Sequence, residues 1–222
     1  MQTLALISMG AGVVNTITNM VHEMDRNIHV INFVNDGILP AAARNNNDLC
    51  PKAFEQLMHM LMAAQLAGAD AVLVTCSSIS EFVDYVQPFA SIPVFKIDEP
   101  MFLAALERGS KIGIAATVAT TLKPSLRQIQ ALADRTGKQI TLSHCLVEAA
   151  YEAFLRGETD LHDQLVQSAI MELCDANDVV CLAQASMLSV VAKMSPEYQS
   201  KILSSPRLGV ARAVNYLKEI RQ

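Results

Sequence analysis

The chain has 222 residues, 51% of them hydrophobic and 18% charged, with a formal net charge of −5. That length suggests one compact unit or two small lobes, and the apolar content is rich enough to bury a large core and argues against disorder. The acidic balance gives no basic field for nucleic acid, and no apolar stretch approaches the roughly 20 residues of a membrane span.

The predicted elements alternate. TLALIS (3–8) is a continuous apolar run, as expected of a parallel strand covered on both faces. It leads into MGAG, where Gly10 and Gly12 start a dinucleotide-type pattern that lacks its third glycine; close backbone approach is the stronger reading. IHVINFV (28–34) is a second strand, followed by Asn35 and Asp36, which either bind a substrate amino group or form a turn. A helical pattern covers 51–67, with Cys50 at its start. DAVLVT (70–75) is a third strand and runs straight into Cys76. IPVFKI (92–97) is a fourth, after which Asp98 and Glu99 read as caps of the next helix near a hinge between halves.

KIGIAA (111–116), QITLSH (139–144), DVVCLA (178–183) and KILS (201–204) are further strands, with helical patterns over 121–136 and 160–175 between them. The sequence SSP (204–206) starts a last helix, about 206–220, that returns to pack on the first half. Strand–helix alternation predicts an α/β fold with parallel sheets.

The order of elements repeats. Leu4–Met9 lies over Ile112–Thr117 at an offset of 108 residues (112 − 4), Asp70–Ser78 lies over Asp178–Ser186, and IPVF lies over SKIL, all at the same offset. The second strands match at an offset near 110. A duplication predicts two pseudo-symmetric parallel-sheet α/β lobes, 1–98 plus 206–222 and 99–205. The active site is expected in the cleft between them, because ligands of open parallel sheets sit at the carboxyl ends of strands. Cys76 and Gln184 become equivalent positions, as do Ser78 and Ser186.

Five cysteines, with no CxxC, fit reduced thiols and a cytosolic location. No histidine spacing suggests a metal. Cys174 and Cys181 read as core. Ser78 and Glu81 form a capping-box pattern that starts a helix at Ser78. Cys76 would then lie just before a helix, where free N–H groups and the helix dipole lower a thiol pKa. The Ser77 and Ser78 hydroxyls beside it suit a carboxylate. The alternative is that Cys76 is a small buried hydrophobe.

These residues carry a resemblance. AGADAVLVTCSSIS followed by IPVFKIDEP resembles the first-half cysteine motif of the aspartate/glutamate/hydantoin racemase superfamily. GIAATVATTL is similar to its threonine-bearing loop, and DVVCLAQASM occupies its second-cysteine position. The resemblance implies cofactor-independent chemistry at a carbon next to a carboxylate or carbonyl. In two-base members one cysteine removes the α-proton and the opposite one returns a proton. Cys76 matches the first cysteine; Thr117, Thr120 and Thr121 match the substrate loop; Ser8 and Met9 line the cleft.

The second cysteine is Gln184 here, an amide that cannot serve as acid or base near neutral pH. Three routes follow. His144 or Cys145 protonates the second face; or a single base works, as in the arylmalonate decarboxylase branch, which keeps the other cysteine; or Cys76 adds to an unsaturated diacid, as in the maleate isomerase branch. The leading expectation is an isomerase of racemase or epimerase type acting on a small carboxylate, without cofactor or metal. Cys76 is its thiolate base; Ser77, Ser78, Gln184, Ala185 and Ser186 form a carboxylate or oxyanion cradle. Thr117 and Thr121 orient the substrate. Decarboxylase, cis–trans isomerase and non-catalytic carboxylate-binding protein are the alternatives. Met58, Met60 and Met62 suit core or homo-oligomer contacts.

Overall fold

The computed structural model describes residues 1–45, 49–184 and 187–221. Its elements in order are β1 (Thr3–Ser8), α1 (Val14–Met24), β2 (His29–Val34), α2 (Ile38–Ala43), α3 (Pro51–Leu66), β3 (Ala71–Val74), α4 (Glu81–Val86), β4 (Val94–Lys96) and α5 (Glu99–Arg108). They continue with β5 (Lys111–Ala116), α6 (Ala119–Thr136), β6 (Thr141–Leu146), α7 (Glu148–Leu155), α8 (Thr159–Ala176) and β7 (Val179–Leu182). The last are α9 (Leu188–Val191), α10 (Pro196–Lys201), β8 (Ile202–Ser204) and α11 (Ser205–Glu219). Among the described residues, no helix is long and apolar enough to cross a membrane.

The chain divides into two compact units. One is Met1–Asp98 with the segment from Pro206 onward; the other is Glu99–Ser205. Each holds a four-stranded, wholly parallel sheet, ordered β2-β1-β3-β4 in the first and β6-β5-β7-β8 in the second. The α/β expectation therefore holds.

The registers match between the sheets. Leu4 lies opposite Ala71 as Ile112 lies opposite Val179, and Val72 opposite Val94 as Val180 opposite Ile202. Each pair reproduces the offset of 108. The second strands differ: His29 pairs with Thr3 and Thr141 with Lys111, an offset of 112 (141 − 29), not the value near 110 read from sequence. The duplication extends to side chains at the amino ends of the sheets. Asp70 accepts the Thr3 N–H at 2.7 Å; Asp178 accepts the Ser110 and Lys111 N–H groups at 3.0 and 2.9 Å. Those two N–H groups hold the Asp178 carboxyl below its ordinary range.

The strand runs are apolar throughout because both faces are covered. In β1, Ala5 and Ile7 pack under α3 and α4, against Leu57, Leu61 and Phe82. Leu4 and Leu6 point the other way, against Ile17 and Val21 of α1 and Val210, Val214 and Leu217 of α11. Each fully buried Leu or Val contributes roughly 1.5–3 kcal/mol of gross apolar transfer, so α11 is a large share of that face. In the second unit, Ala115, Val180 and Leu182 meet Val166 and Ile170 of α8. Cys174 and Cys181 are buried core residues, as expected, and burial pushes the Cys181 thiol up to about 12.

Gly209 shows how closely α11 packs: a Cβ there would run into the Ile97 backbone. Glycine to alanine inside a helix ordinarily stabilises by about 1 kcal/mol. Here overpacking reverses the sign. We expect Gly209→Ala to lose about 1–3 kcal/mol in urea unfolding; a gain would contradict this packing.

Candidate active site

The loop after β3 is built from the strand pairing. The Thr75 N–H donates to the Ile7 carbonyl at 3.0 Å, and the Thr75 and Ser8 hydroxyls are 2.8 Å apart. Cys76 follows in extended conformation and leads into a 3-10 turn over Ser77–Ile79. The Ile79 N–H donates to the Cys76 carbonyl at 3.2 Å, as does the Ser80 hydroxyl at 3.3 Å. The expected helix start at Ser78 is thus corrected. The chain makes i→i+3 bonds through this turn, and α4 begins only at Glu81, with no side-chain cap hydrogen bond at Ser80.

Cys76 is half-buried. Its thiol is pushed above the ordinary value, first by burial, with the negative charge of Asp98 adding to the rise. The Ser78 N–H and hydroxyl and the Ile79 N–H pull the other way. The expectation of a lowered thiol is therefore overturned. The donors act in the direction read from sequence, but desolvation wins.

Sequence reading missed Asp98 as part of this loop. It is fully buried, and the polar side chains of Ser77 and Ser80 beside it favour its ionised form. Burial raises it to about 6, against those side chains and the nearby Lys96 charge. Lys96 is itself 8% exposed and paired with Asp84 at 2.6 Å.

The remaining candidates in the first unit are already engaged. Asn35 accepts the Gly37 N–H at 3.1 Å and donates to Gln56 at 2.8 Å, which is the turn reading. Ser8 is fully buried, and Met9 belongs to the core. A Cβ at Gly10 or Gly12 would meet nothing within 4 Å, so neither glycine is required by a neighbouring protein atom.

In the second unit, the equivalent loop follows β7. The Ala183 N–H donates to the Ala115 carbonyl at 2.9 Å. The Gln184 Oε1 then accepts both the Thr117 N–H at 2.6 Å and its hydroxyl at 3.0 Å. With its carbonyl oxygen occupied by two donors, Gln184 is oriented so that its NH2 group is the end left to donate. Thr117 and Thr121 are buried and Thr120 is half-buried. Ala185 and Ser186 lie outside the described residues.

His144 and Cys145 lie on β6, opposite Ile114 and Ala115 of β5. His144 is exposed on β6 and lines a groove of about 580 Å³ with Leu126, Arg127, Gln130, Ala131, Asp134 and Leu142. Cys145 packs against the core beside α8, and burial pushes its thiol up.

The raised Asp98 carboxyl has a consequence for stability. Its folded value, about 6, lies above the ordinary 3.8, so the native state holds a proton that the unfolded chain releases. The stability this gives is complete below about pH 4 and lost as pH rises through 6. We expect Asp98→Asn to be more stable than the native protein at pH 8 by up to about 3 kcal/mol, the gap closing toward pH 4. Urea unfolding across that range checks it.

Residues 8–213 match the family model described as Asp/Glu/Hydantoin racemase. No curated protein sequence matches the chain. Solved structures do. A glutamate racemase from Bacillus anthracis is 17% identical, with a TM-score of 0.73 over 98% of this chain and 82% of that one. An aspartate racemase from Picrophilus torridus is 12% identical, with a TM-score of 0.70 over 97% and 94%. An allantoin racemase from Klebsiella pneumoniae is 14% identical, with a TM-score of 0.68 over 99% and 89%. Such identities speak for the fold alone. The family model spans nearly the whole length, and on that match the chain belongs to the Asp/Glu/Hydantoin racemase family.

Proposed function

We propose that the protein is a cofactor-independent racemase or epimerase acting at the carbon α to the carboxylate of an amino acid or close relative. Family membership supports an isomerase of racemase type. The observation that carries the finer reading is the Cys76 loop: a thiol at the carboxyl end of β3, beside the N–H and hydroxyl donors of Ser78. In this reading the Cys76 thiolate takes the α-proton. The negative charge that moves onto the substrate carboxyl is met by hydrogen-bond donors, for which Ser77 and Ser78 are the candidates on this loop. Thr117 positions Gln184 through its two hydrogen bonds, and Thr121 helps orient the substrate.

A thiol raised by burial gives a scarce but strong base. The pH dependence follows in sign. Because the Cys76 thiol titrates above 9.0, the fraction ionised keeps growing through pH 9. We expect α-proton exchange to rise with pH across 7–9 without levelling off.

The test is incubation in D2O with L- and D-amino acids, hydantoins and small dicarboxylates, following α-proton exchange by NMR. Exchange should occur in the native protein and fall at least ~100-fold in Cys76→Ala. Equal exchange in that variant would sink the mechanism.

The anchored Gln184 favours a second reading, one-base chemistry, since an amide with its oxygen occupied returns no proton. Exchange with retained configuration, or loss of CO2 from a dicarboxylate, would select it. Binding without exchange would select a carboxylate-binding protein.

A further inference from the structure

The duplication supplies an internal control for the cysteine loop. At the offset of 108 residues, Cys76, Ser77, Ser80 and Asp98 correspond to Gln184, Ala185, Leu188 and Pro206. The second sheet has the same strand order and matching registers without this polar set. The scaffold therefore does not need Asp98 or its serine partners. They accompany the thiol.

Strand pairing explains how they meet. β3 and β4 are neighbours in register, Val74 opposite Lys96, and the Ile97 N–H donates to the Val74 carbonyl at 3.1 Å. Continuing both chains past the sheet brings Asp98 abreast of the Cys76 turn. There the Ser77 and Ser80 side chains favour its ionised form, and the Ser80 hydroxyl donates to the Cys76 carbonyl at 3.3 Å. Asp98, at 0% exposure, meets no solvent and Ser80 none either. A buried carboxylate whose ionisation weakens the fold at neutral pH calls for a reason other than stability.

We infer that Asp98 is a positioning residue for the Cys76 loop: buried abreast of Cys76 by the pairing of β3 with β4, and beside Ser77 and Ser80, it fixes the turn that carries the thiol, and its negative charge opposes a second one on the thiol. Among the charged and titratable groups acting on this pair are Lys96 on β4, which favours the Asp98 carboxylate and is itself paired with Asp84, and Cys76. The consequence is a thiol kept protonated at rest. The inference rests on Cys76 being the working thiol.

The experiment is peptide-resolved alkylation by iodoacetamide between pH 6 and 10, read by mass spectrometry for Cys76, with Cys50 as the internal reference. Asp98→Asn keeps the shape and removes the charge. It should shift the Cys76 midpoint to lower pH by half a unit or more, so that the rate at pH 8 rises about threefold or more. The Cys50 profile should stay put. Ser80→Ala keeps the charge and loses the link; it should speed Cys76 alkylation by a similar factor at every pH, without moving the midpoint.

An unmoved Cys76 profile in Asp98→Asn would overturn the inference. So would uniform acceleration in that variant, which is what a merely loosened loop gives, and so would a Ser80→Ala profile identical to the native one. α-Proton exchange in D2O, run on the same samples, separates the two readings. A shifted alkylation profile without exchange upholds the role of Asp98 and overturns the racemase reading. Exchange with an unmoved profile does the reverse.

Discussion

The parallel pairing of β1 with β3, and of β5 with β7, positions everything else. Parallel strands end on the same edge of a sheet, so the turns that follow them gather there. In the first unit this brings together Ser8, Thr75, Cys76 and, through β4, Asp98. In the second it brings Thr117 to Gln184. One backbone plan thus yields two loops of different chemistry. One carries a titratable thiol. The other carries an amide locked by its own neighbour.

The chemistry of the first loop is a contest between burial and hydrogen bonding. Burial favours the neutral thiol; the Ser78 and Ile79 donors favour the thiolate. Asp98 adds its charge to the side of burial. The outcome is a thiol above its ordinary value, unlike one activated for reaction at rest. A thiol held protonated in this way is also less open to oxidation.

Much of the fold was legible because parallel strands buried on both faces leave continuous apolar runs, as in TLALIS and DAVLVT. The duplication was legible for the same reason. Its second-strand offset was misjudged because the segment between β1 and β2 is shorter than that between β5 and β6, a difference carried by α6, which is longer than α1. The capping-box pattern at Ser78 misled because sequence spacing does not distinguish an α-helical start from the 3-10 turn that the chain makes there. Asp98 was read as a helix cap since its sequence neighbours are a helix start. Its real partners, Ser77 and Ser80, lie on the turn after the adjacent strand. The orientation of Gln184 likewise depends on Thr117, 67 residues away. Long-range pairing, and the net sign of a pKa set by burial, are beyond a reading by local pattern.

At Cys76, burial and Asp98 outweigh the loop donors. The most direct measurement is a carbon NMR titration of the protein labelled at cysteine Cβ. The Cys76 resonance is assigned by its loss in Cys76→Ala. The account predicts a midpoint above 9.0, the ordinary thiol value. A midpoint well below it, with a thiolate already present at neutral pH, would mean that the Ser78 and Ile79 donors win, and would contradict the account.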